Sequence, residues 1–142
     1  MSERVFKIKD SFGTDVEVIP KLFLYSVLDF MGQEMVIPGI QLYTKEDGEY
    51  KSYATLTVSF GEFISVKNSA YIDVNNCPFA EQILSYGIAK QTQYTKSSGF
   101  CVYPLWVFSS EFLEEIGGEQ YLAYSKIYDD YMNQAMGGIS YE

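Results

Sequence analysis

The sequence predicts an α+β fold: an antiparallel β-sheet of six or seven strands, with a short central helix and C-terminal helices packed on it. Three observations predict it. Strand patterns occupy most of residues 1–108 and helical patterns follow over 109–138; strands first and helices after mark this class. Aromatic residues make up 17% of the chain, with 13 Tyr and 10 Phe, types that suit a pleated surface. The 142 residues carry no internal repeat or low-complexity tract, so the chain reads as a single domain, 1–142. A domain of this length buries roughly two-thirds of its unfolded surface, enough to fold without metal or disulfide.

Val5 to Lys9 alternates in polarity, Asp10 to Asp15 is turn chemistry, and Val16 to Ile19 alternates again, which makes a first hairpin. Pro20 interrupts. Residues 21–30 are apolar almost all round and fit a buried strand and a short buried helix alike; the turn at Gly32 favours strand. Met35 to Tyr43 is extended, with Pro38 and Gly39 marking a bulge or an edge. Asp47-Gly48 is a hairpin turn between two apolar runs. Its returning strand, Tyr53 to Phe60, turns Ala54, Leu56, Val58 and Phe60 to the core and Tyr53, Thr55, Thr57 and Ser59 away. Gly61 to Ser69 reads as a loop with Phe63, Ile64 and Val66 tucked under it, and Tyr71 to Val74 as a short strand.

Asn75 and Asn76 are candidate caps, and Pro78 a first-turn residue, for a helix with Phe79, Ala80, Ile83 and Leu84 on one face and Gly87 as its stop. Gln91 to Ser98 is polar and reads as flexible. Ser97 to Phe108 is the densest apolar run. Residues of both parities are apolar there, as in a strand covered on both faces, with Gly99 as hinge. Ser109 and Ser110 can cap a helix from Glu111 to Ile116, broken by Gly117-Gly118. Glu119 to Met136 is the longest helical pattern, ended by Gly137-Gly138.

The chemistry is bounded by what is missing. With no histidine, neither a Ser-His-Asp nor a Cys-His nucleophile system can be assembled, and the commonest metal ligand is absent. There is no phosphate-cradling glycine motif, no metal-ligand spacing and no cofactor motif. Neighbouring carboxylates at Glu114-Glu115 and Asp129-Asp130 point about 100° apart on a helix and do not converge on one substrate. Cys77, beside Pro78, lacks a basic neighbour to hold a thiolate. An enzyme is therefore not expected. Cys77 and Cys101 read as reduced, buried thiols of a cytoplasmic protein. The first residues have no signal-peptide core, and no run approaches ~18 apolar residues, so no membrane span is expected.

The formal net charge is −9, with only 10 Lys and Arg, which argues against direct nucleic-acid binding and for a basic protein partner. Glu111, Glu114, Glu115, Glu119, Asp129, Asp130 and Glu142 stand against Lys126 alone in the last quarter of the chain. That segment is either an ordinary solvated helix face or a patch for a basic, nucleic-acid-binding protein. Tyr121, Tyr124, Tyr128 and Tyr131 share one face of the same helix. They either pack on the sheet with hydroxyls at the rim or form a recognition surface. Leu122, Met132 and Met136 offer a second apolar flank; if they face the core, the tyrosines turn partly outward, and the stripe could then be the interface of a homodimer. On the interaction reading, Glu114, Glu115, Tyr124, Tyr128, Asp129 and Asp130 make the contact. The competing readings are a small-ligand pocket lined by Tyr53, Tyr103 and Trp106, and a structural or oligomeric role.

Gly39-Ile40-Gln41-Leu42-Tyr43, Glu46-Asp47-Gly48-Glu49 and Tyr53-Ala54-Thr55-Leu56-Thr57-Val58 resemble a family of small acidic proteins of unknown function, DUF4313. Tyr71 to Asn76 and Ser98 to Leu105 fit the same pattern, so the resemblance spans roughly residues 37–108. It brings no established activity. It implies a setting, the conjugative elements and phages of bacteria, in which small acidic proteins without catalytic residues inhibit restriction or CRISPR nucleases.

Overall fold

The structure, a computed structural model, describes residues 3–137. β1 (Phe6–Lys9) and β2 (Asp15–Leu28) form the expected first hairpin, with Phe6 opposite Val18 and Lys9 opposite Asp15. β3 (Glu34–Glu46) and β4 (Glu49–Thr55) complete a four-stranded sheet in the order β1-β2-β3-β4. β5 (Thr57–Val58), β6 (Ser69–Ile72), β7 (Ala89–Ser98) and β8 (Cys101–Phe108) form a second, ordered β5-β6-β8-β7. All these pairings are antiparallel. α1 (Ala80–Leu84) lies between β6 and β7, and α2 (Ser110–Gly117) and α3 (Glu119–Gly137) close the described chain. The class is α+β, as expected, but the strands divide between two sheets.

Residues 21–30 resolve as strand up to Leu28, and β2 runs straight through Pro20 instead of stopping at it. β1 stops pairing at Val18, so Pro20 sits where one edge of β2 has no neighbour and a missing N–H costs least. Pro38 repeats the arrangement: it pairs with Leu24 on one side, while β4 joins β3 only from Gln41 onward. Gly39 lies opposite Phe23. A Cβ there would come within 2.6 Å of the rings of both Phe23 and Tyr25, which pack edge to face 4.7 Å apart. Only glycine leaves room for that pair.

The expected strand Tyr53–Phe60 is two strands, because the chain changes sheets at Leu56. Leu56 N–H donates to the Ile40 carbonyl (2.9 Å) in the first sheet, and its carbonyl accepts from Asp73 N–H (2.9 Å) beside the second. The period slips there, so Thr57 is buried rather than outward. Its Oγ1 accepts from Ile40 N–H at 3.0 Å, and the Tyr25 hydroxyl lies 3.1 Å from both Thr57 Oγ1 and the Thr57 carbonyl.

Other expectations are corrected. Gln91 to Ser98 is not flexible; it is most of β7, whose polar side chains suit an edge strand, with a bulge between Gln91 and Thr95. Gly99, at φ +62°, is not a hinge within a strand but part of the tight β7–β8 turn. β8 is buried on both faces only near Leu105 and Trp106; Phe100 at the turn is fully exposed. Neither Asn75 nor Asn76 caps α1. Asp73 instead accepts from the backbone and side-chain amides of Asn76, and α1 starts at Ala80 without a side-chain cap. The short strand after the loop is Ser69–Ile72 rather than Tyr71–Val74, and Val66 is exposed rather than tucked in. Ser109 does cap α2, its Oγ accepting from Phe112 N–H at 3.1 Å. Gly138 lies outside the described residues.

One core joins both sheets to the helices: Phe6, Leu22, Ile40 and Leu42 meet Leu56, Ile72, Trp106 and Phe108, under Ile83, Phe112, Leu113 and Tyr124. A smaller cluster, Val27, Met35 and Ile37, packs with Tyr25, Phe63, Ile64 and Tyr131. Thr57→Val tests the sheet junction. It keeps the shape but leaves the buried Ile40 N–H without its acceptor, for an expected loss of about 1–3 kcal/mol in urea unfolding. Thr57→Ser is expected to recover most of it.

Candidate functional site

The tyrosine face of α3 is bound to the sheets and does not present itself to solvent. Tyr121 and Tyr124 are buried around Asn68, a residue in the left-handed region at φ +66°. Asn68 N–H donates to the Tyr124 hydroxyl oxygen (2.9 Å), and its Oδ1 accepts from the Tyr121 hydroxyl (3.0 Å). Its Nδ2 donates to Ser110 Oγ (2.9 Å), and its carbonyl accepts from Phe108 N–H (2.8 Å). Every polar group of Asn68 is thus used to lock α2, α3 and β8 together. Further along α3, the Tyr128 hydroxyl donates to the Ser65 carbonyl and the Tyr131 hydroxyl to Asp29 Oδ2 (2.7 Å). Tyr124, expected to touch a partner, is only 1% exposed, and burial pushes its hydroxyl well above the usual tyrosine range. It is a packing residue. Tyr128 is half-buried, with its ring between Lys67 and Phe63.

The expected acidic contacts are exposed but differ in their ion pairing. Glu115 is paired with Arg4 (2.8 Å), Asp129 with Lys67 (2.9 Å) and Asp130 with Lys126 (2.9 Å). Exposed pairs of this kind contribute little stability. Glu111 in the first turn of α2, Glu114 in its middle and Glu119 in the first turn of α3 have no cationic partner among the described residues. Leu122 and Ile127 are exposed further along α3. Glu142 lies outside the described residues, and nothing is described of the Met136 side chain.

Tyr53, Tyr103 and Trp106 do not line a common pocket. Trp106 is buried in the core, with its indole N–H donating to Gln91 Oε1 at 3.0 Å. Tyr103 packs on Phe60, and Tyr53 packs on Phe79. The reason is parity: Trp106 and Tyr103 sit on opposite faces of β8. Burial raises the Cys77 thiol to about 11, and its Sγ contacts the Thr55 carbonyl at 3.3 Å, so it is held as the unreactive thiol. Cys101 is only half-buried, against the expectation for it; both cysteines are free.

One concavity was not legible in the sequence. It is a groove of about 590 Å³ where the β2–β3 turn, the segment after β5 and the far end of α3 meet. Leu28, Phe30, Phe63 and Met132 supply its apolar lining; Asp29 and Glu62 supply charge. Leu28 is held there by Gly61 and Phe63, which form backbone hydrogen bonds with it at 3.0 and 2.9 Å. Phe30 is 93% exposed and Met31 78%. Two large apolar residues inside a turn were the available signal. The Tyr131 hydroxyl, with the N–H groups of Gln33 and Met31, holds the Asp29 carboxyl below the usual range. Among the described residues, no group of three or more Cys, Asp and Glu side chains could hold a metal ion, and no helix is long and apolar enough to cross a membrane.

Three outcomes follow from this geometry. Tyr124→Phe leaves the buried Asn68 N–H unpaired, and a loss of about 1–3 kcal/mol is expected in urea unfolding. Because Asp29 titrates low in the fold, its contribution is present above the ordinary carboxylate value of about 4 and is lost as pH falls through the lowered value. Tyr131→Phe removes the main cause, so acid unfolding curves of that variant are expected to depend less on pH in that window. In native protein, a thiol-specific reagent at mildly alkaline pH is expected to modify Cys101 well before Cys77, as peptide mapping would show.

Comparison with curated proteins gives no match, and comparison with solved structures gives none. A family profile described as "Domain of unknown function (DUF4313)" matches residues 26–127. That stretch takes in β3 to α2, the last three residues of β2 and the first half of α3, and with them half of the first sheet, the whole second sheet, the Asn68 lock and the α2–α3 junction. The chain belongs to the DUF4313 family.

Proposed function

We propose that this protein is a non-enzymatic interaction module that binds a basic protein through the exposed face of α2 and the start of α3. One observation carries the reading: Glu111, Glu114 and Glu119, on α2 and the first turn of α3, are each exposed and have no cation partner among the described residues, although Glu115, Asp129 and Asp130 do. Unneutralised carboxylates steer a basic surface during encounter and suppress binding of acidic ones. Leu122, exposed three residues on from Glu119 and therefore its neighbour on the helix surface, adds apolar area to this face. The tyrosines of α3 take no direct part, since their hydroxyls are spent inside the fold.

The finer reading is that of a cytoplasmic protein of a bacterial mobile element that inhibits a restriction or CRISPR nuclease. The net charge of −9 supports it, together with the setting that the family resemblance implies. A nuclease groove built for phosphate is the kind of basic surface such a face would occupy.

The test is affinity capture of bacterial nucleases with the tagged protein, washed at low and high salt. Retention of a nuclease at low salt and its loss at high salt is expected. The Glu114→Lys, Glu119→Lys double variant is expected to lose that partner while its stability stays within about 0.5 kcal/mol of the parent. Unchanged capture by the double variant overturns the assignment of this face.

A further inference from the structure

Resting on the reading of the chain as a binder of basic proteins, the groove at the far end of α3 has chemistry of its own. It lies about 18 Å along α3 from Glu119, at a rise of about 1.5 Å per residue. Its lining is apolar and aromatic, but both of its charged groups, Asp29 and Glu62, are carboxylates, and no basic side chain lines it. Glu62 is paired with Lys96. Asp29 has no cation partner among the described residues; Oδ1 accepts from the N–H groups of Met31 (2.9 Å) and Gln33 (2.7 Å), and Oδ2 from the Tyr131 hydroxyl (2.7 Å). A carboxylate accepts about four hydrogen bonds, so Oδ2 retains one accepting position. The same three donors keep Asp29 ionised and fixed in direction.

A fixed carboxylate beside exposed aromatic and thioether side chains suits one chemical group above others. A guanidinium can donate to the carboxylate while its plane lies on an aromatic face, and it sheds water more readily than an ammonium. An anionic lipid or phosphate finds no positive group among the lining residues. A second copy meeting it groove to groove about a two-fold axis would bring carboxylates toward carboxylates. We propose that this groove seats an arginine-bearing apolar segment of the basic partner, with the guanidinium at Asp29 Oδ2 and the neighbouring apolar side chains on Phe30, Phe63 and Met132. The volume, about 590 Å³, is of the size that holds a few side chains.

The experiment is an amide-resolved NMR titration of the full chain with the blocked pentapeptide acetyl-Gly-Leu-Arg-Leu-Gly-amide. A second titration uses its counterpart with citrulline, the neutral isostere of arginine. Saturable shifts are expected in the amides of residues 28–33 and 61–65, with binding about tenfold weaker for the citrulline peptide, as the loss of one charge-assisted hydrogen bond implies. The Phe30→Ser variant changes only an exposed turn side chain of the groove, so it is expected to keep its Tm and lose the shifts. Asp29→Asn is expected to bring the arginine peptide down to the citrulline level. Equal binding of both peptides, shifts confined to Glu111–Glu119, or no shift up to millimolar peptide would each overturn the proposal. Concentration-dependent shifts of the same amides without peptide would assign the groove to a second copy and overturn it as well. Because no partner protein is needed, groove binding that persists in the Glu114→Lys, Glu119→Lys variant separates this site from the α2–α3 face.

Discussion

Wherever the chain changes sheets, backbone groups are freed in a place water cannot reach, and they must be met from within. That constraint shapes this fold more than any single apolar contact. Ile40 is the clearest case. Its carbonyl accepts from Leu56 N–H, and its own N–H has no strand partner and takes the Thr57 hydroxyl instead. A threonine is therefore buried at a position whose pattern reads as outward-facing. Without this side-chain acceptor, the junction would carry an unpaired buried donor, which is among the costlier defects a core can hold.

Asn68 solves the same problem at the other side of the second sheet. Its left-handed backbone turns the chain into β6, and its side chain and backbone reach three different elements. The aromatic residues of α3 are placed to serve this lock. Successive tyrosines, with ring centroids 6.1 and 6.2 Å apart from Tyr121 to Tyr128, run down the helix like rivets, the first two hydroxyls fixed to Asn68 and the third to Ser65. Phenylalanine would pack as well but could not satisfy the loops beneath. The helix thus fixes the relative position of the two surfaces discussed above, the acidic one at its start and the groove near its end.

The class, the first hairpin, the Asp47-Gly48 turn, the Ser109 cap and the two C-terminal helices were legible because each rests on local chemistry: period, turn residues, capping geometry. What escaped was decided at a distance. Pro20 looks like a stop unless it is known that β1 ends at Val18. Gln91 to Ser98 looks like a loop because an edge strand needs few apolar residues; its partner, β8, supplies them. Among candidate site residues, the acidic ones were placed correctly on the surface, since charge seldom goes inside. Tyr124 was not, because tyrosine is amphipathic and its three-four spacing serves a buried lock and an exposed stripe equally well. The groove was invisible because its walls come from three separate parts of the chain.

Trp106 is the chain's one tryptophan, and it sits among Phe108, Leu56 and Ile72 with its indole N–H already engaged by Gln91. Only 1% of it is exposed, so its emission is set by the integrity of the core. Intrinsic fluorescence is therefore a faithful gauge of unfolding in this protein and a nearly blind one for docking. A ligand or partner settling on the α3 face or in the groove can leave the tryptophan spectrum unaltered, and a flat titration by that optical signal carries no information about binding.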